Sequence, residues 1–222
     1  PQAKEAYTKD VVDQIIEKDI RARKKIRNTV AFERSMAYAI NSFAATTNLS
    51  NVVDYLRNVE HITVKHQTLS GYLGLLESAK LLYKCPRFDL KSRRSLRGEE
   101  RYYLADPAIY RARNTDARLN YGPALENALF THLLSKGYSV SVGRIGKLEC
   151  DFIVRKGDEY AYVQVAMTVA DPRVEEREYA PFSKIGDGWP RYLFTLDPLR
   201  NQRDGVRHLN LMDFLKADGD LF

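Results

Sequence analysis

Apolar residues recur at helical spacing through the first third of the chain. Val11, Val12, Ile15, Ile16 and Ile20 form the stripe of an amphipathic helix capped at Thr8, with charge on its other face. A second helix is predicted over residues 30–46. A third starts at a Ser50 cap and turns Val52, Val53, Tyr55 and Leu56 inward. A fourth, over residues 63–80, turns Leu69, Tyr72, Leu73, Leu76 and Ala79 inward and leaves Thr68 and Ser70 outside. The pattern then shortens. Residues 81–88 and 102–106 read as strands on either side of a basic turn, residues 91–101.

Apolar periodicity lapses over residues 112–122, whose polar, turn-forming composition is that of a linker. Beyond it a helix begins near Pro123, faces Leu125, Leu129 and Leu133 inward, and stops at Gly137. Strands follow over residues 138–144, 148–155 and 160–169, the last two joined by the Lys-Gly-Asp-Glu turn at 156–159. A helix over residues 174–185, strands over 192–197 and 206–211, and a closing helix through Leu215 complete the chain. Three parts are predicted: an N-terminal helix at 1–29, a helical module at 30–115 and an α/β module at 116–222. The middle part, three short helices and a hairpin, has the order of a winged helix-turn-helix, with 63–80 as recognition helix and the basic turn as wing. The last has the order αβββαβ.

Net charge sharpens this division. The chain carries +6 overall, but residues 1–115 hold 21 Lys and Arg against 13 Asp and Glu, and residues 116–222 hold 14 against 16. The surplus of +8 in the front part points to an acidic partner, nucleic acid first among them. Lys65, Arg87, Lys91, Arg93, Arg94 and Arg97 are the candidates for phosphate contact. No apolar run approaches the roughly 20 residues that cross a bilayer. The first residues, Pro-Gln-Ala-Lys, have neither an initiator Met nor the pattern of a signal peptide, so a piece of a longer cytoplasmic protein is expected. Cys85 and Cys150 lie in separate apolar segments and read as core thiols.

The order αβββαβ is the core of the restriction-endonuclease-like fold. There, a helix carboxylate and carboxylates on the second and third strands gather around a divalent metal. Glu126 on the first helix, Asp151 beside Glu149 on the second strand and Gln164 on the third stand at the corresponding levels. Residues two apart on a strand share a face, which would align Glu149 with Asp151 and Gln164 with Ala166. Mg²⁺ prefers hard anionic oxygens, and a neighbouring Lys would stabilise developing negative charge. Here the third strand reads Gln164-Val165-Ala166 in place of carboxylate-x-Lys. The predicted site is therefore degenerate: Glu126, Asp151 and Gln164 as catalytic candidates, Glu126 and Asp151 as metal ligands, and Arg177 or Lys184 as the cation that could stand in. Gly143-Arg-Ile-Gly146-Lys147-Leu148 has the wrong glycine spacing for a phosphate loop, and Leu148 replaces the metal-binding hydroxyl. The four histidines show no metal-ligand spacing.

Asp19-Ile20-x-x-Arg23, Thr68-Leu-Ser-Gly-Tyr72-Leu73, Arg101-Tyr-Tyr-Leu-Ala-Asp106, Glu149-Cys-Asp151-Phe152, Tyr162-Val-Gln164-Val165-Ala166, Arg177-Glu178, Trp189-Pro190-Arg191 and Thr195-Leu-Asp197 together carry a resemblance. Over almost its whole length the chain resembles the C-terminal region of prokaryotic AAA-type ATPases that bear a domain of unknown function behind the P-loop module. In that family Gln regularly replaces the third-strand carboxylate. The resemblance implies a nuclease-like fold used without cleavage, and an upstream ATPase module to which ATP binding would belong. DNA, that ATPase module or a protein would be the partner.

Overall fold

The computed structural model describes residues 2–113, 120–198 and 202–222, apart from the side chains of Gln2 and Arg97. The chain forms two compact units, Pro1–Lys84 with Gly98–Leu119, and Cys85–Arg97 with Asn120–Phe222. The expected boundary between residues 115 and 116 lies outside the described residues. The flanks of the expected linker are helical: Arg113 ends one helix and Tyr121 begins the next.

The first unit is built from α1 (Gln2–Ile15), α2 (Thr29–Asn41), β1 (Thr46–Thr47), α3 (Leu49–Asn58), α4 (His66–Ser78), the start of β2 (Leu82–Asp89), the end of β3 (Arg94–Leu104) and α5 (Ala108–Arg113). α1 runs on through a π turn, Ile16–Arg21, which keeps Ile16 and Ile20 buried in line with Val12. It starts six residues before Thr8, whose hydroxyl donates back to the Lys4 carbonyl at 2.9 Å as an interior helix residue does. α3 is capped by Asn48, which accepts from the Ser50 and Asn51 N–H groups at 2.9 and 3.4 Å, so Ser50 lies inside the helix. Tyr55, expected inward, is 39% exposed. The cores of α2, α3 and α4 are Phe32, Leu56, Leu69 and Leu76, none more than 1% exposed. β1 pairs antiparallel with β3 (Thr46 opposite Arg101), so β3 begins well before Tyr102 and the basic turn narrows to residues 90–93. α5, hidden in the sequence by its polar residues, sets Arg113 against Asp13 at 2.5 Å.

The second unit holds α6 (Tyr121–Ser135), β4 (Ser139–Ile145), β5 (Leu148–Lys156), β6 (Glu159–Val165), α7 (Pro172–Tyr179), β7 (Arg191–Thr195), β8 (Val206–Asn210) and α8 (Leu211–Lys216). α6 ends where Gly137 takes a φ of +80°, a conformation that costs glycine little. Within this unit the strands lie in the order β2-β4-β5-β6-β7-β8. β4, β5 and β6 form an antiparallel meander; β6, β7 and β8 run parallel, and β2 lies parallel to β4. α7 is capped by the Asp171 carboxylate and ends at Tyr179, two residues before Pro181, which cannot donate to a further helical turn. A 3-10 turn, Phe182–Lys184, follows it.

Phe130 of α6 packs against Phe152 on one face of this sheet, with ring centroids 6.0 Å apart. On the other, Tyr179, Phe182 and Ile185 cluster with Cys150, Ile153, Tyr162 and Leu193. Cys150 and Ile153 share a face although they stand three positions apart, where strict alternation would put them on opposite faces. The register slips here: Ser141 opposes Ile153 while Gly143 opposes Cys150, a bulge that places Asp151 and Phe152 across from the single residue Val142. Simple alternation along β5 therefore breaks at Asp151 and Phe152, after the Glu149–Asp151 step. Cys85 and Cys150 are both buried thiols.

β6 stops at Val165, short of the expected residue 169, because the chain turns to meet Asp197. That carboxylate accepts from the Thr168 hydroxyl at 2.6 Å and the Val169 N–H at 2.8 Å. Burial alone would raise its pKa, but these hydrogen bonds outweigh it and hold the carboxyl below its usual range. The ionised form is thus favoured in the folded state. The stability it adds is present above the unfolded value of about 3.9 and is lost as pH falls through the lowered folded value. Asp197→Asn is expected to lower unfolding free energy by about 1–2 kcal/mol at pH 7, with the difference from the parent shrinking below pH 4 in urea denaturation.

Candidate functional site

The ladder between β5 and β6 runs from Lys156/Glu159 to Phe152/Val163, and beyond that point side chains continue it. Gln164 Oε1 accepts from the Asp151 N–H at 2.6 Å, and the Val165 N–H donates to Asp151 Oδ2 at 2.9 Å. Gln164 Nε2 donates to Glu178 Oε2 at 3.0 Å, while Glu178 Oε1 accepts from Arg177 Nε and Nη2 at 3.0 and 2.7 Å. Gln164 is 5% exposed and Glu178 7%. The amide orientation is fixed chemically, because only its oxygen can face an N–H and only its NH₂ can face a carboxylate.

Glu126, Asp151, Arg177 and Glu178 line one cleft of about 450 Å³, together with Ala166 and Thr168. The predicted carboxylates on α6 and β5 are thus brought together. Gln164 lies behind them as a strut, where the sequence had set it among the catalytic candidates. Of the two stand-in cations, Arg177 reaches the cleft and Lys184 lines another cavity. Glu178 is the residue that topology-based reasoning passed over. Its signal was the Arg177-Glu178 pair on the helix after the third strand, which carries a buried acid only if something neutralises it.

Gln164 and Glu178 are already committed to protein partners. Gln164 spends its oxygen on a backbone N–H, Asp151 spends one on Val165, and Glu178 is held in charge-assisted bonds by Arg177 and Gln164. Among the described residues no group of three or more His, Cys, Asp or Glu is arranged to hold a metal ion.

The candidate phosphate contacts separate between the units. Lys65 is exposed at the N-cap of α4 in the first unit, where a cleft of about 280 Å³ is lined by Lys24, Lys25, Arg27, Gln67 and Thr68. Lys24, Lys25 and Arg27 stand outside the set of phosphate contacts that the sequence predicts. Arg87 is committed to Glu149 at 3.1 Å with 14% of its side chain exposed, which takes it out of an open phosphate surface. Arg94 is exposed, and the side chain of Arg97 lies outside the described residues. Lys91 and Arg93 belong to the second unit, where they line a cavity of about 690 Å³ with Lys147 and Lys184. Among the described residues no helix is long and apolar enough to cross a membrane.

A helical unit with a short strand, and a unit that holds β2 and β4 to β8 of a mixed sheet together with an acid-lined cleft, define a mixed α/β protein. The chain belongs to the family described as Domain of unknown function (DUF8612), whose model matches residues 1–118. It is also similar to a protein of Haemophilus influenzae (strain ATCC 51907 / DSM 11121 / KW20 / Rd) described as "Uncharacterized protein", 30% identical over 213 residues, covering 96% of this chain and 52% of the relative. The chain therefore spans about half the length of the curated relative it matches. No solved structure matches it.

Proposed function

We propose that this chain is the C-terminal accessory region of a larger prokaryotic protein with an AAA-type ATPase module, and that it binds nucleic acid without cutting it. The first unit is read as a winged helix-turn-helix. Its order of helix, short strand and two helices, followed by the start of β2 and the end of β3, supports that reading, as do the cations beside the exposed start of α4, although the β2–β3 turn expected as the wing groups with the second unit. The second unit is read as a restriction-endonuclease-like domain, supported by its αβββαβ order and by the meeting of Glu126 with Asp151.

The observation that carries the non-cleaving reading is the Gln164 strut. Where a nuclease would present a carboxylate to metal, this amide splices β5 to β6 and anchors Glu178. An upstream ATPase module is supported by the family resemblance and by the greater length of the relative.

A binding and cleavage assay on labelled duplex tests the proposal. Binding is expected at 50 mM salt with an affinity that falls steeply toward 200 mM. Full-length DNA is expected to be recovered with or without Mg²⁺ or Mn²⁺, and Lys65→Glu is expected to weaken duplex binding. Cleavage that needs metal and disappears in Asp151→Ala would instead establish an active nuclease. The lack of any binding at low salt would turn the reading toward a protein-docking platform.

A further inference from the structure

Two cavities of the second unit adjoin, sharing Leu90, Arg93 and Asp187 among their lining residues. The first, of about 690 Å³, gathers four exposed cations from three separate segments. Lys91 and Arg93 come from the β2–β3 turn, Lys147 from the β4–β5 turn and Lys184 from the 3-10 turn after α7. They stand against one carboxylate, Asp187. That carboxylate is engaged, accepting from the Tyr162 hydroxyl at 2.6 Å and the Trp189 N–H at 3.2 Å. Arg191 fixes the same loop by donating to the carbonyls of Ile185 and Asp187 at 2.8 and 2.9 Å.

The second cavity, of about 430 Å³, continues from Arg93 past Phe88 to Arg155, Tyr160 and Trp189. Trp189 is 37% exposed, an unusual state for so large a ring, and lies 5.8 Å from Tyr160 between ring centroids. The Arg155 guanidinium sits 5.8 Å above the other ring, Tyr160. A cationic pocket opening onto an exposed tryptophan braced by the half-buried Tyr160 matches the demands of a flexible polyanion with free flat bases. Phosphates take the lysines, and a base stacks on the ring. Paired bases in a duplex are already stacked and offer no face to Trp189.

Resting on the nucleic-acid reading above, we propose that this groove is a single-stranded nucleic-acid site. It holds backbone phosphate at Lys91, Arg93, Lys147 and Lys184 and stacks a base on Trp189. It is distinct from the acidic cleft of Glu126 and Asp151 and from the Lys65 surface of the first unit.

Trp189 is the chain's one tryptophan, so its fluorescence reports on this groove directly. Titrating the whole chain with 20-nucleotide oligo-dT and oligo-U, and with a 20-base-pair duplex, is expected to quench that fluorescence with the single strands and leave it nearly unchanged with duplex. Lys147→Glu with Lys184→Glu is expected to weaken single-strand affinity at least tenfold and to lower the slope of log affinity against log salt by about 1.4. Trp189→Ala, followed by anisotropy of a labelled strand, is expected to weaken binding about tenfold with the salt slope unchanged, and Trp189→Phe to restore most of it. Single-strand binding that neither quenches Trp189 nor responds to these changes overturns the groove assignment. If duplex binding then still weakens in Lys65→Glu, the broader reading stands. No binding of any nucleic acid at 50 mM salt overturns both.

Discussion

Gln164→Leu is expected to lower the unfolding free energy by about 3 kcal/mol or more, the largest loss from any single change near the acidic cleft. Leucine is close to glutamine in size, so little cavity forms. The cost arises because the Asp151 N–H loses its acceptor and the buried Glu178 carboxylate loses one of its donors. Each unmet buried group costs about 1–3 kcal/mol, and more beside a charge. Gln164→Glu separates this account from a general intolerance of the position. It keeps an oxygen for Asp151 but replaces the NH₂ donor with a carboxylate facing Glu178. The neighbouring acids would hold the new carboxyl above the ordinary glutamate value of about 4.3. With its folded pKa raised, the deficit of this variant should grow as pH rises through that value and shrink as pH falls toward 5. Urea denaturation at pH 5 and pH 8, read by Trp189 fluorescence, checks both variants. Parent-like stability in Gln164→Leu would mean that the strut carries no load.

Gly143→Val is expected to cost about 3 kcal/mol for a different reason. A Cβ at Gly143 would lie 2.8 Å from Ile153 Cγ1 and 3.0 Å from Cys150 Cβ. The bulge turns both of those β5 residues onto the same face, so the space above Gly143 is already filled. Cys150 and Ile153 are 0% and 4% exposed and packed against Tyr162 and Leu193, which leaves them no room to retreat. Overpacking of this kind typically costs 1–3 kcal/mol, and here a whole isopropyl group must fit. Thermal denaturation of Gly143→Ala and Gly143→Val should show a graded loss. Equal melting temperatures would place the bulge elsewhere.

Much of the architecture was legible because periodicity is a local signal. The inward stripe of α4 and the three strands of the meander follow from residues a few positions apart. What the sequence hid depends on contacts between distant segments. Asn48 displaced Ser50 as a cap because both are good cap residues and only the chain path chooses between them. The bulge at Asp151 and Phe152 is set by β4, and nothing in β5 itself announces it. At the cleft, Glu126 and Asp151 were found from topology, whereas Glu178 was not, since a helical Glu beside an Arg normally signals a solvated surface. Its burial depends on Gln164, fourteen residues away. The cations of the single-strand groove come from three turns that no sequence window joins, which is why Lys147 looked like a failed phosphate loop.

The course of the polypeptide through β2 and β3 bears on how such a chain can be divided or inherited. The stretch Cys85–Arg97 is flanked on both sides by first-unit sequence yet belongs with the second unit, where Arg87, Phe88 and Asp89 pair with β4. A cut at the expected linker would strip β4 of that neighbour and bare a sheet edge rich in valine, the kind of edge that invites aggregation. The two halves are therefore not interchangeable cassettes. Any recombination that exchanged one of them would have to carry the hairpin along, so the halves are expected to have descended as a single piece.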